Sequence, residues 1–138
     1  MPDTAFDIDA IVAGEPRVLR LADGAVVHRR GDAGDCAYIV KRGRVEIRQK
    51  GRQVETLSAG EIFGEMGMID GRPRHSTAVA VGDVELVPIT RSLFTSLVRD
   101  DEDFVLTILR LLARRHRATM ALFESCVDDL PEPVGSAA

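Results

Sequence analysis

Residues 63–80 read FGEMGMIDGRPRHSTAVA. The stretch joins a Gly-Glu pair, Gly64-Glu65, to Pro73-Arg74 and then to a run of small and polar residues. Gly64 has no Cβ, so backbone can come close to a ligand there. Residues 65–70 (EMGMID) can make one or two helical turns whose first amides would face an anion. Arg74 is always charged, and its fork of donors matches phosphate oxygens. Pro73 stiffens the approach to it. Glu65 is a poor phosphate ligand but a good acceptor for a sugar hydroxyl. Together these residues suit a phosphorylated sugar. Either dipeptide alone reads as a turn or a surface charge; their combination in β-rich surroundings is far more specific.

Working outward, glycines punctuate the chain from Gly14 to Gly82, and short β-prone runs lie between them: VLRL, AVVHR, AYIVK, RVEIRQ, QVETL, STAVAV and VELVPI. Val45 and Ile47 alternate with Glu46 and Arg48 at the period of a half-buried strand. Short runs with turns at this spacing predict a sandwich or barrel. Residues 4–13 suit a short helix after Thr4. Thr90 can cap a second, 91–98, and the acidic run Asp100 to Asp103 suits the start of a longer one, 102–125. The Pro/Gly/Ser/Ala-containing end is expected to be a disordered tail.

These motifs resemble the cyclic nucleotide-binding domain family. Phe63-Gly64-Glu65-Met66-Gly67-Met68, then Pro73-Arg74-His75-Ser76-Thr77, is similar to the family's phosphate-binding cassette. Gly31-Asp32-Ala33-Gly34-Asp35, followed by Tyr38-Ile39-Val40 and Gly43, is similar to its upstream signature. The likeness covers roughly residues 15–125 and extends to the C-terminal domains of bacterial cyclic nucleotide-gated potassium channels. It implies a mainly β fold with flanking helices: a jelly-roll of the double-stranded β-helix kind (β-roll) with a cassette and C-terminal lid helices. The implied divisions are an N-terminal helical segment (1–14), the roll (15–90) with its cassette (63–77), hinge and lid helices (91–125) and a tail (126–138).

The resemblance gives Glu65 to the ribose 2′-hydroxyl and Arg74 to the cyclic phosphate. Backbone of Gly64, Met66 and Gly67 would line the same pocket, with Ser76 and Thr77 on the strand behind. His75 stands where the family usually has Ala, Ser or Thr, and Thr or Ser there favours guanine. The expectation is therefore cAMP ahead of cGMP, with His75 either bordering the ligand or facing solvent. On the last helix, Phe104, Ile108, Leu111, Arg115, Ala118 and Leu122 form one line, and Val105, Leu109, Leu112, His116, Met120 and Phe123 its neighbour. Arg115 and His116 interrupt this apolar face, whereas Arg110, Arg114 and Arg117 fall on the polar side. A charge in such a place either snorkels or binds. In this family the final helix closes over the base, which makes Arg115 the candidate lid group.

Composition narrows the function. A chain of 138 residues with 45% hydrophobic content is one domain with an ample core. Its net charge of −4 argues against nucleic acid as a partner. The acidic N-terminus lacks signal-peptide order, and no apolar run suits a membrane span, so a cytoplasmic location is expected. Cys36 and Cys126 lack CxxC spacing and read as unpaired thiols. His28, His75 and His116 include no H-x-H pair, which weakens a cupin-like metalloenzyme; neither an enzyme nor a cofactor is expected. A transcription factor would need a DNA-reading module past the long helix. The expected partners are a cyclic nucleotide and a protein effector in trans, with the chain a monomer or homodimer. The rival is a degenerate domain used only for protein interaction or dimerisation.

Overall fold

In the computed structural model, which describes residues 4–11 and 17–129, two long strands carry the architecture. β3 (Cys36–Gln49) and β6 (Thr77–Thr90) pair antiparallel, with Cys36 opposite Thr90 at one end and Arg48 opposite Thr77 at the other. Each fuses two of the runs read separately from the sequence. Gly43 (φ 86°) and Gly82 (φ 69°) bend these strands without ending them. The β3–β6 register slips beside Arg42, so the ladder absorbs the bend as bulges. β1 (Leu19–Leu21) and β2 (Val26–His28) pair with β6, while β4 (Arg52–Leu57) and β5 (Ile62–Phe63) pair with β3. The result is one six-stranded antiparallel sheet among the described residues.

Helices cover one end of this sheet. α1 (Ile8–Ile11) is shorter than the 4–13 expected, and residues 12–16 lie outside those described. α2 (Glu65–Asp70) follows β5 directly. α3 (Arg91–Asp100) starts at Thr90, whose Oγ1 accepts from the Leu93 amide at 3.2 Å, and runs two residues past the expected end. α4 (Glu102–Asp128) is capped by Asp101, whose carboxylate accepts from the Phe104 amide at 3.0 Å. Glu102 and Asp103 in its first turn complement the helix dipole. α4 continues to Asp128, so the first residues assigned to the tail are helical; residues 130–138 lie outside the description.

The core has two parts. Val40, Val45, Leu57, Phe63, Val84 and Leu86 fill the inside of the sheet. A second cluster joins sheet to helices, with the Phe104 ring 5.3 Å from Phe6 and 5.6 Å from Phe94. Met68 of α2 belongs to this cluster with Phe94 and Leu97. Its neighbour Ile69 is 51% exposed, because a six-residue helix turns only one side inward. The apolar lines of α4 are used only in its first half. Phe104, Ile108 and Leu111 are buried, whereas Met120, Leu122, Phe123 and Val127 are exposed. No helix among the described residues is long and apolar enough to cross a membrane.

Candidate ligand-binding site

The site is built where α2 leaves the sheet. Gly64, the residue before α2, has φ 79°, a left-handed conformation that glycine adopts without strain. A Cβ built there would sit 2.5 Å from Arg74 Nη1. The missing side chain therefore makes room for the arginine itself, a tighter reason for glycine than ligand approach alone. Arg74 is 6% exposed; Nη1 donates to the Gly64 carbonyl at 2.8 Å and Nη2 to the Cys36 carbonyl. Its Nε has no partner among the described residues.

The upstream glycine signature turns out to be the cradle of the cassette. The Gly31 amide donates to the Arg74 carbonyl and the Arg74 amide to the Asp32 carbonyl, both at 2.8 Å. The Gly34 and Gly67 backbones abut: a Cβ on Gly34 would lie 2.9 Å from the Gly67 Cα, and one on Gly67 2.8 Å from the Gly34 Cα. Two motifs separated in sequence are thus one unit. They hold Arg74 by its backbone and leave its guanidinium turned toward Gly64.

Glu65 opens α2 and is 1% exposed. Burial pushes its pKa up, and the Arg115 charge offsets this only in part. Arg115 reaches down from α4, donating from Nη1 to Glu65 Oε1, and its Nη2 lies 3.6 Å from Glu55 Oε2. The preceding residue, Arg114, lies 3.7 Å from Glu61. Glu65 Oε2 remains without a partner among the described residues. One cavity of about 280 Å³, close to the lower end of small-molecule sites (roughly 300–1,000 Å³), brings these groups together.

Gly64, Glu65, Met66, Gly67, Arg74, His75, Ser76 and Arg115 all border that cavity. Thr77, expected with them, does not: its hydroxyl accepts from the Arg30 amide at 3.1 Å, tying β6 to the chain after β2. His75 is exposed at the rim, Ser76 is buried, and His116 is exposed on α4. Outside the cassette, sequence reasoning missed five bordering residues in the sheet: His28, Ile47, Gln49, Val54 and Glu55. Glu55 lies opposite Ile47 in the β3–β4 ladder, and directly opposed residues share a face. The signal was present, since Glu55 has the parity of buried Leu57. His28 is 8% exposed, and burial, then the nearby Arg74 charge, lowers its pKa from 6.5 to about 4. It is a neutral ring under the arginine. Among the described residues no group of His, Cys, Asp or Glu could hold a metal ion.

The chain belongs to the cyclic nucleotide-binding domain family, whose model matches residues 18–101. It is 33% identical over 108 residues to a cyclic nucleotide-gated potassium channel of Rhizobium etli, covering 78% of this chain and 30% of the channel. It is 34% identical over 99 residues to the cyclic AMP receptor protein of Thermus thermophilus, covering 68% of this chain and 46% of that one. Among solved structures, the catabolite activator protein of Thermus thermophilus matches 92% of this chain and 60% of its own, at 28% identity and a TM-score of 0.78. The chain spans less than half the length of the curated relatives it matches. The family and these neighbours establish a mainly antiparallel β-sheet with C-terminal helices as a cyclic nucleotide-binding fold.

Proposed function

We propose that the chain is a regulatory module that binds a 3′,5′-cyclic purine nucleotide, cAMP in preference to cGMP, and catalyses no reaction on it. In this reading the sheet acts as the family's roll, Arg74 holds the cyclic phosphate and Glu65 the ribose 2′-hydroxyl. The observation that carries it is that Arg74 Nε and Glu65 Oε2, in buried side chains of one cavity, are among the polar atoms there without a partner, together with His28 Nδ1 and Arg115 Nε. Buried polar groups in proteins are as a rule hydrogen-bonded, and an anionic sugar supplies what these two lack. The preference for cAMP rests on His75, which offers no Ser or Thr hydroxyl to guanine. Binding shifts α3 and α4 relative to the sheet, and a cytoplasmic protein effector in trans reads that change. Titration calorimetry with cAMP and with cGMP tests the reading. Saturating ligand must also raise the melting temperature, and no response to either nucleotide at millimolar concentration would overturn it.

A second reading has its own observation. Met120, Phe123 and Val127 are exposed along α4 at steps of three and four residues, with Leu109 exposed three turns earlier, an apolar seam that fits a second copy of the helix. On this reading the fold serves dimerisation without ligand. Sedimentation of the chain with and without nucleotide separates the two.

A further inference from the structure

We infer that Glu55 reads the base, accepting hydrogen bonds from the donor edge of guanine and so admitting cGMP to a site that otherwise favours cAMP. This rests on the cyclic-nucleotide reading and adds to it a residue that the cassette does not contain.

The geometry follows from the order of groups along the cavity. Arg74 touches the Gly64 carbonyl, Glu65 comes next, and Arg115 spans from Glu65 to Glu55. In a 3′,5′-cyclic nucleotide the 2′-hydroxyl lies between the carbon bearing the cyclic phosphate and the carbon bearing the base. With phosphate on Arg74 and the hydroxyl on Glu65, the base extends toward Glu55. Ile47 and Val54 border the same end and offer apolar surface to a purine face. Glu55 is one-third exposed, and among the described residues the 3.6 Å contact from Arg115 to its Oε2 is its only ion pair.

A carboxylate has only acceptors at neutral pH. Guanine presents two adjacent donors, N1–H and the 2-amino group, which one carboxylate takes as a pair. Adenine presents a single 6-amino donor beside the N1 lone pair, which faces a carboxylate unfavourably. Glu55 therefore strengthens guanine binding far more than adenine binding.

The test measures dissociation constants of cAMP, cGMP and cyclic inosine monophosphate, which keeps N1–H but lacks the 2-amino group. The parent chain is compared with Glu55→Ala and, as a better strand former, Glu55→Val. Losing a two-bond base contact should weaken cGMP about tenfold, while cAMP changes less than threefold. The parent should also bind cGMP more tightly than the inosine nucleotide, and the variants should not. Equal losses for all three nucleotides would show that Glu55 acts only by positioning Arg115, and would overturn the inference while leaving the binding function intact. Unchanged affinities would do the same. Failure of the parent to bind any of the three overturns the functional reading itself.

Discussion

Arg115 on α4 donates to the carboxylate of Glu65, fifty positions earlier in sequence. One oxygen of the carboxylate assigned to ribose, Oε1, is therefore already engaged, while Oε2 has no partner among the described residues, so ligand would share Glu65 with a side chain rather than meet an idle carboxylate. The pair is also a strut, because it joins the outer part of α4 to the cassette at a point where the helix has otherwise stopped packing. Removing Arg115 strands a buried carboxylate. Arg115→Ala should lower the unfolding free energy by roughly 3 kcal/mol. Glu65→Gln in the same chain should recover most of that loss. Urea denaturation of the two single variants and the double variant gives the coupling directly, and simple additivity would show that the pair carries no stability.

Arg74 should dominate affinity. Arg74→Lys keeps the charge but gives up the fork and the bonds to the Gly64 and Cys36 carbonyls. Truncating or misfitting one partner of a desolvated charge pair costs roughly 2–5 kcal/mol in binding, more than tenfold in Kd. Glu65→Gln should cost less, since a neutral hydroxyl is its partner. Calorimetry on folded variants decides. An Arg74→Lys chain with parental affinity would place the phosphate elsewhere.

His28 makes stability fall on mild acidification. The unfolded chain takes up this proton near pH 6.5 and the folded chain only near pH 4. Between those values the unfolded state holds more protons, so folding weakens as the pH drops, by at most about 1.4 kcal/mol per pH unit for one group. Glu65 acts in the opposite sense, because its raised pKa lets the folded state bind a proton first on acidification from neutral pH. Comparing the parent with His28→Asn cancels the Glu65 contribution. The parent should lose stability relative to the variant between pH 6.5 and 4, and parallel curves would exclude the effect.

Phe94 should couple cassette to lid. It shares a core cluster with Met68 of α2, and its ring meets that of Phe104 of α4. Phe94→Ala should cost roughly 3 kcal/mol of stability while Arg74 still holds phosphate. In hydrogen exchange, the parent should gain protection from nucleotide both at residues 60–80 and across 91–125. The variant should keep the first and lose the second. Protection confined to 60–80 in the parent would leave a passive binder with no switch, since a ligand moves an equilibrium only through differential affinity for its two states.

Local chemistry was legible in the chain by itself. Gly64-Glu65 and Pro73-Arg74 stood out as residues that border one cavity, because few residue types supply such donors and acceptors, and the Thr90 cap and the acidic start of α4 follow from side chains that suit helix amides. Period-two alternation located the strands. It could not tell that Gly43 and Gly82 bend strands rather than end them, because a glycine reads the same whether the ladder continues or stops; only the pairing of β3 with β6 decides. Tertiary structure also decided what the second glycine motif does. The sequence shows Gly34 and Gly67 as members of separate signatures, whereas their use is mutual, each leaving out a Cβ so that the other's backbone fits. Glu55 and His28 stayed hidden for a similar reason. A charged residue on a short edge strand and a histidine in an apolar run acquire meaning only when folding brings Arg115 and Arg74 beside them. In the same way, the apolar lines of α4 marked a helix face, but where that face ceases to be covered depended on how far the sheet extends beneath it.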